Sequence, residues 1–386
     1  MHHTATRREL LRGLFAAGLV LAEGSSRSLS ALADGEEVVP FTDFPKDFNV
    51  APRSGVRYFD TRTLESFLPP SEQFFTVQHY GQPTVDSGTH RLHVTGLVNR
   101  SIELSLADLK KRPRLEQVVG FECSGNNNAR GNPLVGNARW AGTSLASILK
   151  DCGVKSLARE VVFFGADKGT EEVSHGGSTQ KVEQRFGRSL SLEDASRPEV
   201  LLAYEMNGEP LSQAQGSPFR LIVPGWYGVA NVKWLEQIHL QDSRFMGKFM
   251  AREYVTLRGH KQNSDVVWNE TSVSRMQLKS MVARVTRSGS SCKVAGFVLT
   301  DGTPLKAVEV SIDNGPWKPA TLAKSNTAYS WKLFSFQWQD VKPGEHTLVS
   351  RATDVHGNVQ PSEAELELKK TRWENNGQYV RTVVVS

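Results

Sequence analysis

Gly120-Phe121-Glu122-Cys123-Ser124-Gly125-Asn126 sets a single cysteine in a glycine-rich turn just after the apolar run Val118-Val119. A thiolate held in such a turn can bind a metal, and soft sulfur suits a transition-metal centre. A bare turn cysteine is more often a small packed residue. The surrounding sequence has to decide between the two.

The other cysteines do not compete for this role. Cys152 falls on the apolar face of a predicted helix with Leu145, Ile148 and Leu149, and Cys292 opens a strand, so both read as core. The three are spaced too widely for a disulfide framework or a zinc site. No C-x-x-C-H occurs, so no covalent c-type haem is encoded here.

Ser105-Leu106-Ala107-Asp108 predicts a helix start, and Thr143 to Lys150 predicts a second helix stopped by Gly153. Strand-like runs surround them: Val161 to Phe164, Val200 to Tyr204, Phe219 to Val223 and Val232 to Leu240. The polar stretch Gly259 to Ser274 lacks periodicity and reads as a connection. From about Arg275, short alternating runs are divided by Asp301-Gly302, Asn314-Gly315 and Pro343-Gly344, the pattern of an all-β sandwich. The fold class expected is α+β followed by an all-β domain. Ser174 to Lys181 hints at a phosphate loop but lacks its spacing, and reads as a polar surface loop.

Three segments carry a family likeness: the Cys123 turn, Ala138-Arg139-Trp140-Ala141-Gly142 and Val232-Lys233-Trp234-Leu235. Together they resemble the sulfite oxidase family of molybdopterin enzymes. The run Val308 to Trp317, with Trp331, Trp338 and Arg351 to Asp354, resembles the immunoglobulin-like dimerisation domain that follows the cofactor domain there. The likeness implies a cofactor domain over residues 34–265, a sandwich over 275–386 and a homodimer. It also implies Mo-molybdopterin, one per chain, with Cys123 as the protein's ligand to the metal.

The remaining site residues are carried over by the same resemblance. Phe74 to His79 is similar to a family segment, Phe-Phe-Thr-Arg-Asn-His, that lines the pterin, which assigns Phe75, Thr76, Val77, Gln78 and His79 to the cofactor. Asp167, Gln215, Arg220, Asn231, Val232 and Lys233 fall on further cofactor positions. A guanidinium offers an oxyanion a planar fork of donors, and an ammonium a point charge. Tyr254 matches a tyrosine whose hydroxyl faces the reacting oxygen. Tyr254, Arg220 and Cys123 are therefore the catalytic set. The implied reaction is oxygen-atom transfer, with electrons leaving singly to an external carrier such as cytochrome c.

The leader supports this reading. Thr6-Arg7-Arg8-Glu9-Leu10-Leu11-Arg12 is a twin-arginine pattern, Leu14 to Ala22 is a short apolar stretch and Ala31-Leu32-Ala33 offers a cleavage site. Nine apolar residues are too few for a bilayer, which needs about 20. Residues 1–33 thus read as a signal for export of an already folded protein to the periplasm, leaving no membrane span. Removing its four Lys/Arg and two Asp/Glu from totals of 46 and 41 leaves 42 basic and 39 acidic residues, a balance of +3 that implies no nucleic-acid partner.

Departures from the family pattern bear on the substrate. Val77 stands where sulfite-oxidising relatives carry the arginine that clamps the substrate. Asn127 and Asn128 replace a basic pair, which Arg130 is placed to offset, and Gln215 replaces a histidine. Three readings follow: oxidation of sulfite or another small sulfur oxyanion; reduction of a neutral sulfoxide, N-oxide or similar acceptor; and a non-catalytic binding protein whose first domain has decayed. Retention of Cys123, Arg220, Lys233 and Tyr254 together speaks against the last.

Overall fold

The computed structural model describes residues 35–386. The twin-arginine leader lies outside the described residues. Those residues are mostly β, and their α-helices are Leu106–Lys110, Leu145–Cys152 and Leu192–Ala195. The α+β expectation therefore overstated the helix. Its local signals were sound: Ser105 and Asp108 form a reciprocal capping box, and Gly153 closes the second helix at φ +66°. Each helix spans only one or two turns, however, and the sheets supply the framework.

Two five-stranded sheets build the first part. In one, the strand Leu115–Glu122 pairs with Val135–Ser144, which pairs with Leu201–Met206 and then Arg220–Ile222, while Glu209–Pro210 attaches to Leu201–Met206. In the other, the order is Ile102–Leu104, Leu92–Gly96, Leu235–Gln241, Glu160–His175 and Ser178–Ser191. Leu235–Gln241 runs parallel to Leu92–Gly96, and the other pairs are antiparallel. Val161, Val162 and Phe163 are all fully buried in the middle of this sheet. One apolar core joins both sheets, with Trp140, Phe121, Leu202, Phe219 and Ile238 among its members.

The C-terminal part is two facing sheets. One has the order Glu37–Val39, Lys279–Ser288, Ser291–Leu299, Lys332–Trp338 and Thr321–Leu322; the other is Lys318–Pro319, Leu305–Ile312, Gly344–Asp354 and Val380–Val385. Val282, Val294, Val298, Phe334, Val308, Val310, Leu348 and Val383 meet between them in a second core. The expected turns at 301, 314 and 343 fall between these strands. At the start of the described residues, Glu37–Val39 pairs with Lys279–Ser288 and Phe41 bridges to Val383, so this segment adds to the C-terminal sheets. Strand addition across so long a separation leaves no local signal.

Two segments expected to lack structure form hairpins. Val255–Gln262 and Asp265–Ser272 pair throughout around a tight turn in which Asn263 takes φ +58°. Much of both strands is exposed, so the apolar alternation that would betray them is missing. Ser174 to Lys181 is likewise the tip of the long hairpin Glu160–His175 with Ser178–Ser191, turning at Gly176-Gly177. Among the described residues, no helix is long and apolar enough to cross a membrane.

Candidate active site

Cys123 sits one residue past the end of the strand Leu115–Glu122, and its N–H still donates to Leu134 O at 2.9 Å. Asn126 locks the turn. Its N–H donates to Cys123 O, its Oδ1 accepts from Leu134 N–H at 2.9 Å and its Nδ2 donates to Glu122 Oε2 at 2.9 Å. Behind the turn, Lys279 Nζ of the C-terminal part reaches Glu122 Oε2 and Asn132 Oδ1, each at 3.0 Å. This ion pair is almost wholly buried, so removing one partner strands the other, at a cost of roughly 3–5 kcal/mol.

The thiol opens on a cavity lined also by Phe74 to His79, Phe121, Asp167, Phe186, Gln215, Arg220, Gly228, Val229, Asn231, Lys233, Trp234 and Tyr254. Eleven positions singled out in sequence besides Cys123 thus come together: Phe75, Thr76, Val77, Gln78, His79, Asp167, Gln215, Arg220, Asn231, Lys233 and Tyr254. Val232 does not join them. It is fully buried, and its carbonyl accepts from Leu221 N–H at 2.8 Å. Arg130, placed in sequence to offset Asn127 and Asn128, is exposed and contacts Tyr58 Oη at 3.4 Å, and none of the three lines the cavity.

Backbone irregularities aim several of these groups. The pairing of Glu160–His175 with Ser178–Ser191 slips between Phe164 and Lys168, and Asp167 leaves the ladder in that bulge. Gly216, at φ +97°, lies so close to Lys233 that a methyl group there would come within 2.9 Å of its Cβ. Only glycine suits both the conformation and the space. Gly136 is similarly constrained, because the Phe74 ring occupies the place of a side chain.

Two cations, Arg220 buried and Lys233 half-buried, lie beside the cavity without a carboxylate bonded to either among the described residues. Arg220 donates to Gln215 Oε1 at 2.9 Å, Gln215 O at 3.2 Å and Asn231 O at 2.9 Å, while its Nε has no partner. Lys233 Nζ donates to Ala214 O at 3.2 Å and lies 3.5 Å from Gln78 Oε1. Burial pulls Arg220 down to about 9; burial and then the charge of Arg220 bring Lys233 down to about 7. Asp167 goes the other way, raised by burial to about 6 against the pull of Lys233. Buried positive charge held by neutral carbonyls, with one donor free, suits an anionic group.

The opposite chemistry surrounds Tyr254. Its hydroxyl lies 2.7 Å from His79 Nε2, and its ring stacks on Trp373 at 4.1 Å and 20°. His79 in turn stacks on Phe186 at 4.6 Å and lies 4.3 Å from Phe249. Burial brings His79 down to about 3, helped by Lys233, Arg188 and Lys248, so the imidazole is neutral at pH 7. Burial likewise drives the Tyr254 hydroxyl far above its ordinary range, and a Cys123 thiolate adds to this. When neutral His79 carries its proton on Nε2, it donates to Tyr254 and leaves the phenolic proton free for the cavity.

The Cys123 thiol is pushed up to about 11, by burial first, with Gly125 N–H opposing and Glu122 adding. The protein alone therefore keeps it protonated, and a bound metal cation is what would make it a thiolate. With the cation nest nearby, the donor set fits a metal joined to an anionic cofactor. Sequence reading missed Phe186, Trp234, Val229 and Trp373. Trp373 contacts the site across most of the chain's length, and no motif flags it.

The family model for the oxidoreductase molybdopterin binding domain matches residues 79–249. Sulfite oxidase of Gallus gallus is 30% identical over 349 residues, covering 82% of this chain and 72% of that protein. Mitochondrial sulfite oxidase of Homo sapiens is 30% identical over 333 residues, 77% of this chain, and the chain spans only 58% of its length. NADH nitrate reductase of Ulva prolifera is 34% identical over 195 residues, 46% of this chain and 22% of that protein. Among solved structures, the sulfane dehydrogenase SoxCD from Paracoccus pantotrophus superposes with a TM-score of 0.72 at 23% identity, covering 89% of this chain and 90% of that one. The match along most of both chains to the Gallus gallus protein, with the molybdopterin-binding domain model spanning the cysteine turn, places this chain in the sulfite oxidase family of molybdopterin-binding oxidoreductases.

Proposed function

We propose that the protein oxidises sulfite or a related small sulfur oxyanion at a molybdenum-molybdopterin centre and passes the electrons to an external carrier such as cytochrome c. The observation that carries this is the joining in one cavity of Cys123 with the buried Arg220 and the half-buried Lys233, two cations bonded to carbonyls rather than to carboxylates. Cys123 would bind the metal. Arg220 and Lys233, with Gln215, Asn231, Asp167 and the backbone from Phe75 to His79, would hold the pterin and its phosphate. When bound, the group supplies oxygen-atom transfer and the storage of two electrons. The chain's own part is to hold charge and protons: the cations orient an anion, while Tyr254, with His79 on its hydroxyl, keeps a proton at the phenolic oxygen.

The same reading extends to the rest of the chain. Residues 1–33 direct twin-arginine export to the periplasm, residues 34–265 hold the cofactor and 275–386 form an immunoglobulin-like domain through which two copies pair. The electrons leave to a separate carrier in this reading, since the sequence offers no C-x-x-C-H for a covalently attached c-type haem.

One feature favours a second reading, reduction of a neutral sulfoxide or N-oxide. Val77 puts an apolar side chain in the cavity where a clamp for an oxyanion is expected, and Phe186 and Tyr254 line it too. An anaerobic sulfite titration of the molybdenum-loaded protein decides between them. Bleaching of the thiolate-to-molybdenum absorption at modest sulfite is expected; an unchanged spectrum would give the neutral acceptor first place.

A further inference from the structure

Tyr254 holds φ +53°, a conformation bulky side chains rarely adopt, so its surroundings must over-determine it. One such restraint comes from the far end of the chain. Trp373 stacks on the Tyr254 ring at 4.1 Å. The same indole covers Gly125, where an added methyl group would meet it at 3.1 Å and lie 3.8 Å from Cys123 Sγ. Its neighbour Glu374 donates its N–H to Ser124 O at 2.7 Å. Two adjacent residues therefore touch both the phenol and the turn that carries the thiol.

The strap is itself anchored. Glu374 takes φ +54°, and its buried carboxylate accepts from Thr256 Oγ1 at 2.9 Å and Arg258 at 2.7 Å. Lys369 Nζ donates to Glu374 O and to Asn376 Oδ1. Trp373 N–H donates to Thr371 Oγ1 at 2.9 Å. The ring thus reaches the site from backbone fixed on either side.

We propose that Trp373 is a positioning residue, the strut by which the C-terminal part of the chain holds the Tyr254 hydroxyl and the Cys123 thiol in register. It does not line the cavity and has no role in binding substrate. Its loss lets the phenol turn and the Ser124-Gly125 backbone lift, while the cations and the cavity floor stay in place.

Trp373→Ala and Trp373→Phe in the full chain test this by two readouts. The first is the rate at which iodoacetamide labels Cys123 in cofactor-free protein, where Cys152 and Cys292 are buried in the cores. The alanine variant should label ~10-fold faster, because thiol reactivity follows access, and the phenylalanine variant within ~2-fold of wild type. The second is sulfite turnover by loaded protein. Alanine should lower kcat by ~100-fold, the scale of an ångström's misplacement, with KM within ~3-fold, and phenylalanine should restore most of kcat.

Wild-type labelling and kcat in the alanine variant would overturn the proposal, as would a phenylalanine variant as impaired as alanine. If the alanine variant does not fold, Trp373→Leu, which fills space without a stacking face, is read by the same two measures. The turnover readout rests on the proposed sulfite chemistry and the labelling readout does not. Absence of sulfite turnover in wild type therefore counts against that chemistry alone, and labelling still decides the strut.

Discussion

Arg220 and Lys233 on one hand, and His79 and Tyr254 on the other, line the same cavity, yet partial or full loss of water does different work in each pair. The cations are held by carbonyls of Gln215, Asn231 and Ala214, and their charge is left without a counter-ion bonded to it. His79 and Tyr254 lie among Phe186, Phe249 and Trp373 and are kept neutral. The first pair is built to receive negative charge. The second is built to keep a proton at one oxygen while the aromatic rings exclude water. Neither arrangement is bonded to a carboxylate, and among the described residues Asp167 is the one carboxylic acid lining the cavity, itself raised to about 6.

Cys123 belongs to neither pair, and removing its sulfur gives the sharpest test of whether the two act on a common centre. Cys123→Ser should bring sulfite turnover to background. The turn is held by backbone groups and Asn126, so the unfolding free energy should move by no more than about 1 kcal/mol. Turnover and urea unfolding measured together check this. Residual turnover near wild type would mean that the cation and phenol pairs serve chemistry unrelated to the thiol.

How much of this was legible follows from what each residue contacts. The cysteine turn, the Phe75 to His79 segment and the Asn231 to Lys233 segment are short stretches whose local order carries their role, and the cavity collects them with the exception of Val232. Asp167 was found by position, but the bulge that frees it from the ladder was not foreseeable. Trp373 was invisible because its partners, Tyr254 and Gly125, are remote in sequence and a lone tryptophan in a β-rich region reads as core. The hairpin from Val255 to Ser272 was missed for the reverse reason: its exposed Val266, Val267 and Trp268 break the one-sided pattern by which strands are recognised.

Val77 is where the comparison can be shifted by one side chain, since it lines the cavity beside both pairs. Val77→Arg adds a guanidinium to the neutral side. A charge-assisted bond contributes roughly 1.5–3 kcal/mol, and the burial of a new cation takes back part of it, so the sulfite KM should fall by about tenfold. Steady-state kinetics with sulfite measure it. An unchanged KM would say that the oxyanion is bound elsewhere or is not the substrate.

The smallest effect concerns the cation pair alone and needs no substrate. In cofactor-free protein Lys233 titrates at about 7, against an ordinary value of 10.5. Between those values the unfolded chain binds more protons than the folded one, so stability must rise with pH across that window. The burial penalty is felt in full below pH 7 and is relieved as the ammonium gives up its proton. Lys332 and Lys369, both brought down to about 8 by burial, add slope of the same sign, so the informative quantity is the difference between wild type and Lys233→Met. Arg220, at about 9, begins to contribute only toward the upper end. Urea unfolding at pH 7, 8 and 9 should show wild type gaining on the variant at each step, and loading with the anionic cofactor should flatten the gain by restoring the charge on Lys233. Parallel lines in the cofactor-free proteins would mean that the ammonium already has adequate partners, and the contrast between a charged and a neutral half of the cavity would fail at its most exposed point.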